Sequence, residues 1–151
     1  MNNSYRYAGR VHSRRYAMQA LYEHQMTGRS LDKISDDYRY DDEVRGKMDA
    51  AYFGYLIDGV EANKSVLIKR LEKITGYSFD RIDPVEQAVM LCTACELLYV
   101  PKTEASVVIA EAVKINKKYG SQEGYRLVHG VLNCLATSAA GEEGEGAEEK
   151  A

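Results

Sequence analysis

A chain of 151 residues that is 45% hydrophobic, with 20 Lys+Arg against 23 Asp+Glu and a formal net charge of −3, has the size and balance of one ordinary globular domain. About two thirds of the extended surface can be buried at this length, so a core needs neither disulfides nor a metal staple. No apolar run approaches the roughly twenty residues that cross a bilayer, no secretory leader pattern opens the chain, and three cysteines are an odd number for a disulfide framework, so a cytoplasmic protein without membrane attachment is expected.

Residues 1–12 read as a basic, partly flexible arm, and over residues 4–16 arginines interleave with aromatics, SYRYAGRVHSRRY. Up to Tyr22 the chain carries Arg6, Arg10, Arg14 and Arg15 and no acid, a charge of +4. Guanidinium groups pair phosphates bidentately and tyrosine faces stack bases, the equipment of single-stranded RNA recognition. The same composition also suits a solvated arm that balances an acidic tail.

From Ser13 the apolar spacing predicts a helix through Ala17, Met18, Leu21 and Tyr22, stopped by Thr27 and Gly28. Ser30 can cap a second helix to about Arg39, and Asp41 or Asp42 can open a third that carries Met48, Tyr52, Leu56 and Val60. The pattern weakens at Ala62 and Asn63, and a fourth helix with Leu67, Leu71 and Ile74 ends at Gly76. Asp83-Pro84-Val85-Glu86 is the clearest start signal: an N-cap acid, proline in the first turn, and glutamate where a capping box places it. That fifth helix runs to Tyr99, a sixth follows Thr103 and stops at Gly120, and Ser121 can cap a seventh that ends the folded body near Ala136. Seven helices with short connections and no strand predict an all-α fold of two packed helical bundles over residues 13–137. Residues 138–151 carry five glutamates against Lys150, have no large apolar side chain, and read as a disordered acidic tail.

Catalytic constellations are missing: there is no HExxH, P-loop, GxGxxG or nucleophile elbow, and His12, His24 and His129 are widely separated. Cys92-Thr93-Ala94-Cys95 imitates a redox motif, yet it falls in mid-helix on an apolar stripe with no strand before it, which reads as packing. Cys134 and His129, five residues apart on one helix, point about 140° away from each other and cannot share a zinc ion. Glu96 and Glu111 interrupt apolar helices and read as helix-contact or partner-facing acids. No cofactor, metal or enzymatic activity is expected.

Five ordered blocks, RRYAMQALYEHQ, YFGYLIDGV, IDPVEQAVMLCTACEL, VVIAEAVKINKKYG and VHGVL, resemble in order and spacing the NusB transcription antitermination factors. The resemblance covers about residues 10–136. It implies a protein of two helical bundles that binds the boxA element of nascent ribosomal RNA leaders together with NusE, a small-subunit ribosomal protein, within the antitermination complex on the elongating polymerase. It further implies RNA contacts by Arg10 and Arg14, joined on charge grounds by Arg6 and Arg15, with Tyr119 and Glu123 near the RNA surface and Tyr22 and Glu86 at the NusE surface. The chain departs from the family pattern at Val11, His12, Leu91, Glu104, Ala110 and His129. Two other readings stay open: a divergent interaction domain that holds a ribosomal protein or itself without RNA, and a detached relative of the N-terminal part of ribosomal RNA cytosine methyltransferases. Monomer and homodimer are both compatible with the sequence.

Overall fold

The order of elements in the computed structural model is α1 (Asn3–Thr27), α2 (Leu31–Tyr40), α3 (Asp42–Lys47), α4 (Ala50–Thr75), a 3-10 turn (Phe79–Arg81), α5 (Pro84–Tyr99), α6 (Ala105–Tyr119) and α7 (Gly124–Lys150). The structure describes residues 3–101 and 103–150, and side-chain surroundings for 8–101 and 103–140. Among the described residues there is no strand, and no helix is long and apolar enough to cross a membrane.

The fold is organised around α5. Every residue from Glu86 to Glu96 is buried, so this helix has no solvent face and must be covered on all sides. It is contacted by α1 and α4 on one side and by α6 and α7 on the other, while α2 and α3 pack beside α1. The result is two bundles, α1–α3 and α4–α7, sharing one continuous core through α5. Its start follows the sequence signal, with the Asp83 carboxylate accepting from Val85 N at 2.9 Å and Pro84 in the first turn. No capping box forms, because Glu86 turns away from the cap toward α6 and α7.

Helix boundaries differ from the sequence reading in four places. The helix expected from Ser13 already begins at Asn3, so residues 3–12 of the expected arm form the first turns of α1. The expected third helix breaks at Met48, where Asp49 starts a new one by accepting from Tyr52 N at 3.0 Å. The expected gap at Ala62 and Asn63 does not exist: both are helical, Asn63 bonds back to the Gly59 carbonyl, and α4 runs unbroken for 26 residues to a left-handed cap at Gly76, φ 75°. A polar stretch on a long helix marks a solvent-facing segment as readily as a break. Finally, the backbone of α7 continues as helix to Lys150, beyond the expected end at Ala136. Alanine and glutamate favour helix intrinsically. Among the residues whose side chains are described, the last fully buried one is nevertheless Leu135, beside a partly buried Ala136.

Two contacts lock the arrangement. The Arg14 guanidinium donates to both Glu96 oxygens, Nε at 2.8 Å and Nη2 at 2.7 Å, with both residues buried, and the Tyr52 hydroxyl donates to the same carboxylate. Arg14, Tyr52 and Glu96 thus tie α1, α4 and α5 at one point. Gly59 lets α4 approach α5 so closely that an added Cβ would lie 2.6 Å from Cys95 Sγ.

Replacing Glu96 with alanine leaves the buried Arg14 charge uncompensated and is expected to cost about 3–5 kcal/mol, whereas an Arg14→Met, Glu96→Leu double substitution recovers most of it. Urea denaturation of the three proteins checks both. Gly59→Ala overpacks the α4–α5 contact and should lower stability by about 1–3 kcal/mol in the same assay.

Candidate nucleic-acid and partner interface

The basic entrance to α1 is anchored from its own backbone. Ser13 Oγ lies 2.8 Å from the carbonyls of both Gly9 and Asp49, which share its one proton, and it accepts from Asp49 N at 2.9 Å, pinning this part of α1 to the start of α4. Arginine placement then follows helical spacing. Arg10 is exposed, its guanidinium carbon 4.7 Å above the centre of the Tyr52 ring, a cation–π stack. No carboxylate pairs with Arg10 among the described residues. Arg15 is half-buried, with Nη2 3.1 Å from His12 Nδ1 and the guanidinium 5.3 Å from the Tyr16 ring centre. Burial, and then the positive charges of Arg15 and Lys47, hold His12 below the usual histidine range, so a neutral ring nitrogen can accept from Arg15.

Arg14 departs from its expected role. It is only 6% exposed and its charge is matched by Glu96, so it holds no RNA phosphate in this arrangement. Burial works against its charge, but the hydrogen bonds and negative charge of Glu96 outweigh that and keep it firmly protonated. The same site pushes the Tyr52 hydroxyl above its ordinary range, through burial first and the Glu96 carboxylate second. Arg14 therefore acts on Arg10 indirectly, by fixing the tyrosine beneath it. The fourth expected arginine, Arg6, has its side chain outside the described residues.

At the opposite end of α5, helices α1, α5 and α6 enclose a groove of about 230 Å³. Met18, Val89 and Ile115 contribute apolar surface, Tyr22 and Tyr119 remain 38% and 44% exposed, and Arg15 contributes a cation. Three of the expected residues, Arg15, Tyr22 and Tyr119, are thus brought together on one surface. Apolar walls carrying tyrosine hydroxyls are the composition of a protein-docking anchor.

Glu86, expected at the partner surface, is instead 2% exposed beneath the groove. It accepts from the Ser121 hydroxyl, and in the orientation that satisfies both neighbours the Asn116 amide donates to Glu86 Oε2 at 3.1 Å while accepting from Tyr125 N at 3.1 Å. Gly124 opens α7 against this carboxylate, where an added Cβ would collide with Oε1. An acid at a helix N-terminus complements the helix dipole, so Glu86 fixes the turn between α6 and α7 rather than touching a partner. Ser121 accordingly serves Glu86 and does not cap α7. Glu123, on that turn, is exposed and paired with Arg126 at 3.0 Å, and Lys118 Nζ lies 5.2 Å from the Tyr119 ring centre.

The sequence reading did not single out Tyr52, which looked like one more member of an apolar stripe. Its signal lay in Glu96: an acid in a helix with no polar face must have donors, and these are Arg14 and Tyr52. Cys92 and Cys95 are fully buried. Burial, reinforced by Glu96, pushes the Cys95 thiol up to about 11 and Cys92 higher than its ordinary range, against any thiolate role. Among the described residues no group of three histidine, cysteine or acidic side chains could hold a metal ion.

Comparison with known proteins agrees with this geometry. The NusB family model matches residues 11–137. The transcription antitermination protein NusB of Pseudomonas savastanoi pv. phaseolicola (strain 1448A / Race 6) is 37% identical over 129 residues, covering 85% of this chain and 78% of the relative. That of Legionella pneumophila (strain Corby) is 34% identical over 128 residues, covering 85% and 86%. Among solved structures, T. maritima NusB superposes with a TM-score of 0.76 at 24% identity, covering 89% of this chain and 94% of that one. A crystal structure of the antitermination factors NusB and NusE in complex with dsRNA gives 0.75 at 21% identity, covering 91% and 99%. These two structures share the fold, and the family model and the sequence relatives establish that the chain belongs to the NusB family.

Proposed function

We propose that this chain is a non-catalytic transcription antitermination factor of the cytoplasm, which binds boxA-type leader RNA jointly with NusE and so joins the complex on the elongating RNA polymerase. The observation that carries the reading is the pairing of two surfaces along α5: cations without carboxylate partners among the described residues at Arg10 and Arg15, and an apolar, tyrosine-bearing groove at Tyr22 and Tyr119. Arg29, Arg39, Arg45 and Arg126 show the contrast, since each of these surface arginines is spent on a nearby carboxylate. Cations at the surface next to tyrosine rings, Arg10 exposed and Arg15 half-buried, suit phosphate and base contacts. The groove suits an apolar protein anchor with a polar rim, as NusE would supply. The names of the relatives, and a fold neighbour that holds NusE and RNA, support the same assignment.

The purified protein with NusE should retain a boxA-type RNA more strongly than a scrambled RNA of equal length at low salt, read by filter retention or anisotropy. Equal retention of the two RNAs would defeat the proposal. In a salt titration, Arg10→Ala with Arg15→Ala should flatten the log–log slope of affinity by about one to two units, because each single-strand phosphate contact contributes about −0.7. Arg14→Ala should instead lower the unfolding midpoint. Tyr22→Ala should weaken NusE binding about tenfold without RNA present, in line with an aromatic anchor worth more than about 1 kcal/mol. A protein that keeps NusE while its RNA retention ignores both arginine substitutions would point to the RNA-independent interaction domain.

A further inference from the structure

One helical turn along α4 from Tyr52, the ring that carries Arg10, lies an exposed aromatic that neither the core nor the groove uses. Tyr55 is 48% exposed, and its hydroxyl donates to the Tyr99 carbonyl at 2.9 Å, in the last turn of α5. It stands three residues after Tyr52 on α4, the spacing that makes side chains neighbours on one helix face. The two tyrosines cross to α5 in step: Tyr52 to Glu96 and Tyr55 to Tyr99, again three residues apart. One ring of this ladder is buried and carries the Arg10 guanidinium, whereas the next is exposed.

The hydrogen bond to Tyr99 satisfies a carbonyl at a helix end, which leaves such groups without intrahelical partners. That alone does not explain an exposed aromatic ring, because water reaches an exposed carbonyl as well. A ring fixed at its hydroxyl end and open over much of its surface is a rigid stacking platform. The ring one turn before it, Tyr52, carries a guanidinium already oriented by stacking and without a carboxylate partner among the described residues. A phosphate for the cation and a flat, apolar face for the ring are the two halves of a nucleotide.

We propose that Tyr55 and Arg10 form a single-nucleotide subsite at the corner of α1, α4 and α5, the base stacking on Tyr55 and its phosphate pairing with Arg10. The subsite rests on the RNA-binding reading above and extends the RNA path onto α4. Tyr52 is its positioning residue, holding Arg10 through the buried Glu96 and Arg14.

The chain has no tryptophan, so fluorescence of 2-aminopurine placed at successive positions of a boxA-type single-stranded RNA reads stacking without interference. With the full-length protein and NusE, one position should be quenched on binding by the wild type and by Tyr55→Phe, and should lose that quench with Tyr55→Leu at saturation. Tyr55→Leu should weaken affinity about tenfold with the salt slope unchanged, while Arg10→Ala should reduce the slope by about 0.7. Circular dichroism melting verifies that the variants are folded, as expected for changes at exposed positions. If Tyr55→Leu binds within twofold of wild type with the quench intact while Arg10→Ala still flattens the slope, the subsite is wrong and RNA binding stands. If Tyr55→Leu instead weakens NusE binding in the absence of RNA, the surface belongs to the protein partner and the subsite is overturned. Failure of the wild type to prefer boxA-type RNA over scrambled RNA removes the functional reading, and the subsite with it.

Discussion

The ion pair between Arg14 and Glu96 sets the geometry on which the surface depends. Both groups are buried, and two charges taken out of water keep a favourable balance only if their hydrogen-bonding capacity is well used. Glu96 uses its oxygens on Arg14 and on the Tyr52 hydroxyl, so three helices meet at one carboxylate. Arg10, one turn before Arg14, is thereby held over the Tyr52 ring at the surface. Arg14, read from sequence as a candidate RNA contact, is buried and serves as the internal brace of the arginine one turn away.

A second buried acid works at the other end of α5. Glu86 receives Ser121 and Asn116 and faces the first residue of α7, which has no side chain to oppose it. The helix therefore carries one acid at each end of its buried stretch. Glu96 organises the arginine end through α1 and α4, and Glu86 organises the tyrosine groove and the turn bearing Glu123 through α6 and α7. The two acids differ in what neutralises them: a guanidinium for Glu96, and neutral donors together with a helix N-terminus for Glu86. Substituting either acid disturbs a surface that it does not itself form.

Such an arrangement separates recognition from support. Arg10, Tyr22, Tyr55 and Tyr119, which are exposed, and the half-buried Arg15 lie on helices whose positions are fixed from beneath, so much of their ordering is already achieved in folding. It also explains why this chain can depart from the family pattern at Leu91 and keep its fold: that side chain lies in the core, where an apolar residue satisfies the site.

The sequence by itself determined the helical class, the start of α5 at Asp83-Pro84, the stop at Gly76 and the apolar stripes that became the core. These are local properties, dictated by cap chemistry, φ angles and 3.6-residue spacing, and they need no knowledge of neighbours. It also drew attention to α1 as a candidate surface, since arginine with tyrosine is visible as composition. Only the tertiary structure decided which of those residues face solvent. Spacing on α1 does not reveal that Glu96 lies across from Arg14, nor does a capping-box pattern show that Glu86 will prefer Ser121, 35 residues away, to its own helix start. The break at Met48 was likewise settled by a distant partner, since Asp49 is held by Ser13 and Gly9 of α1. Where a polar side chain has one local and one distant partner to choose from, the choice belongs to the fold, because burial makes the distant bond worth more than the local one.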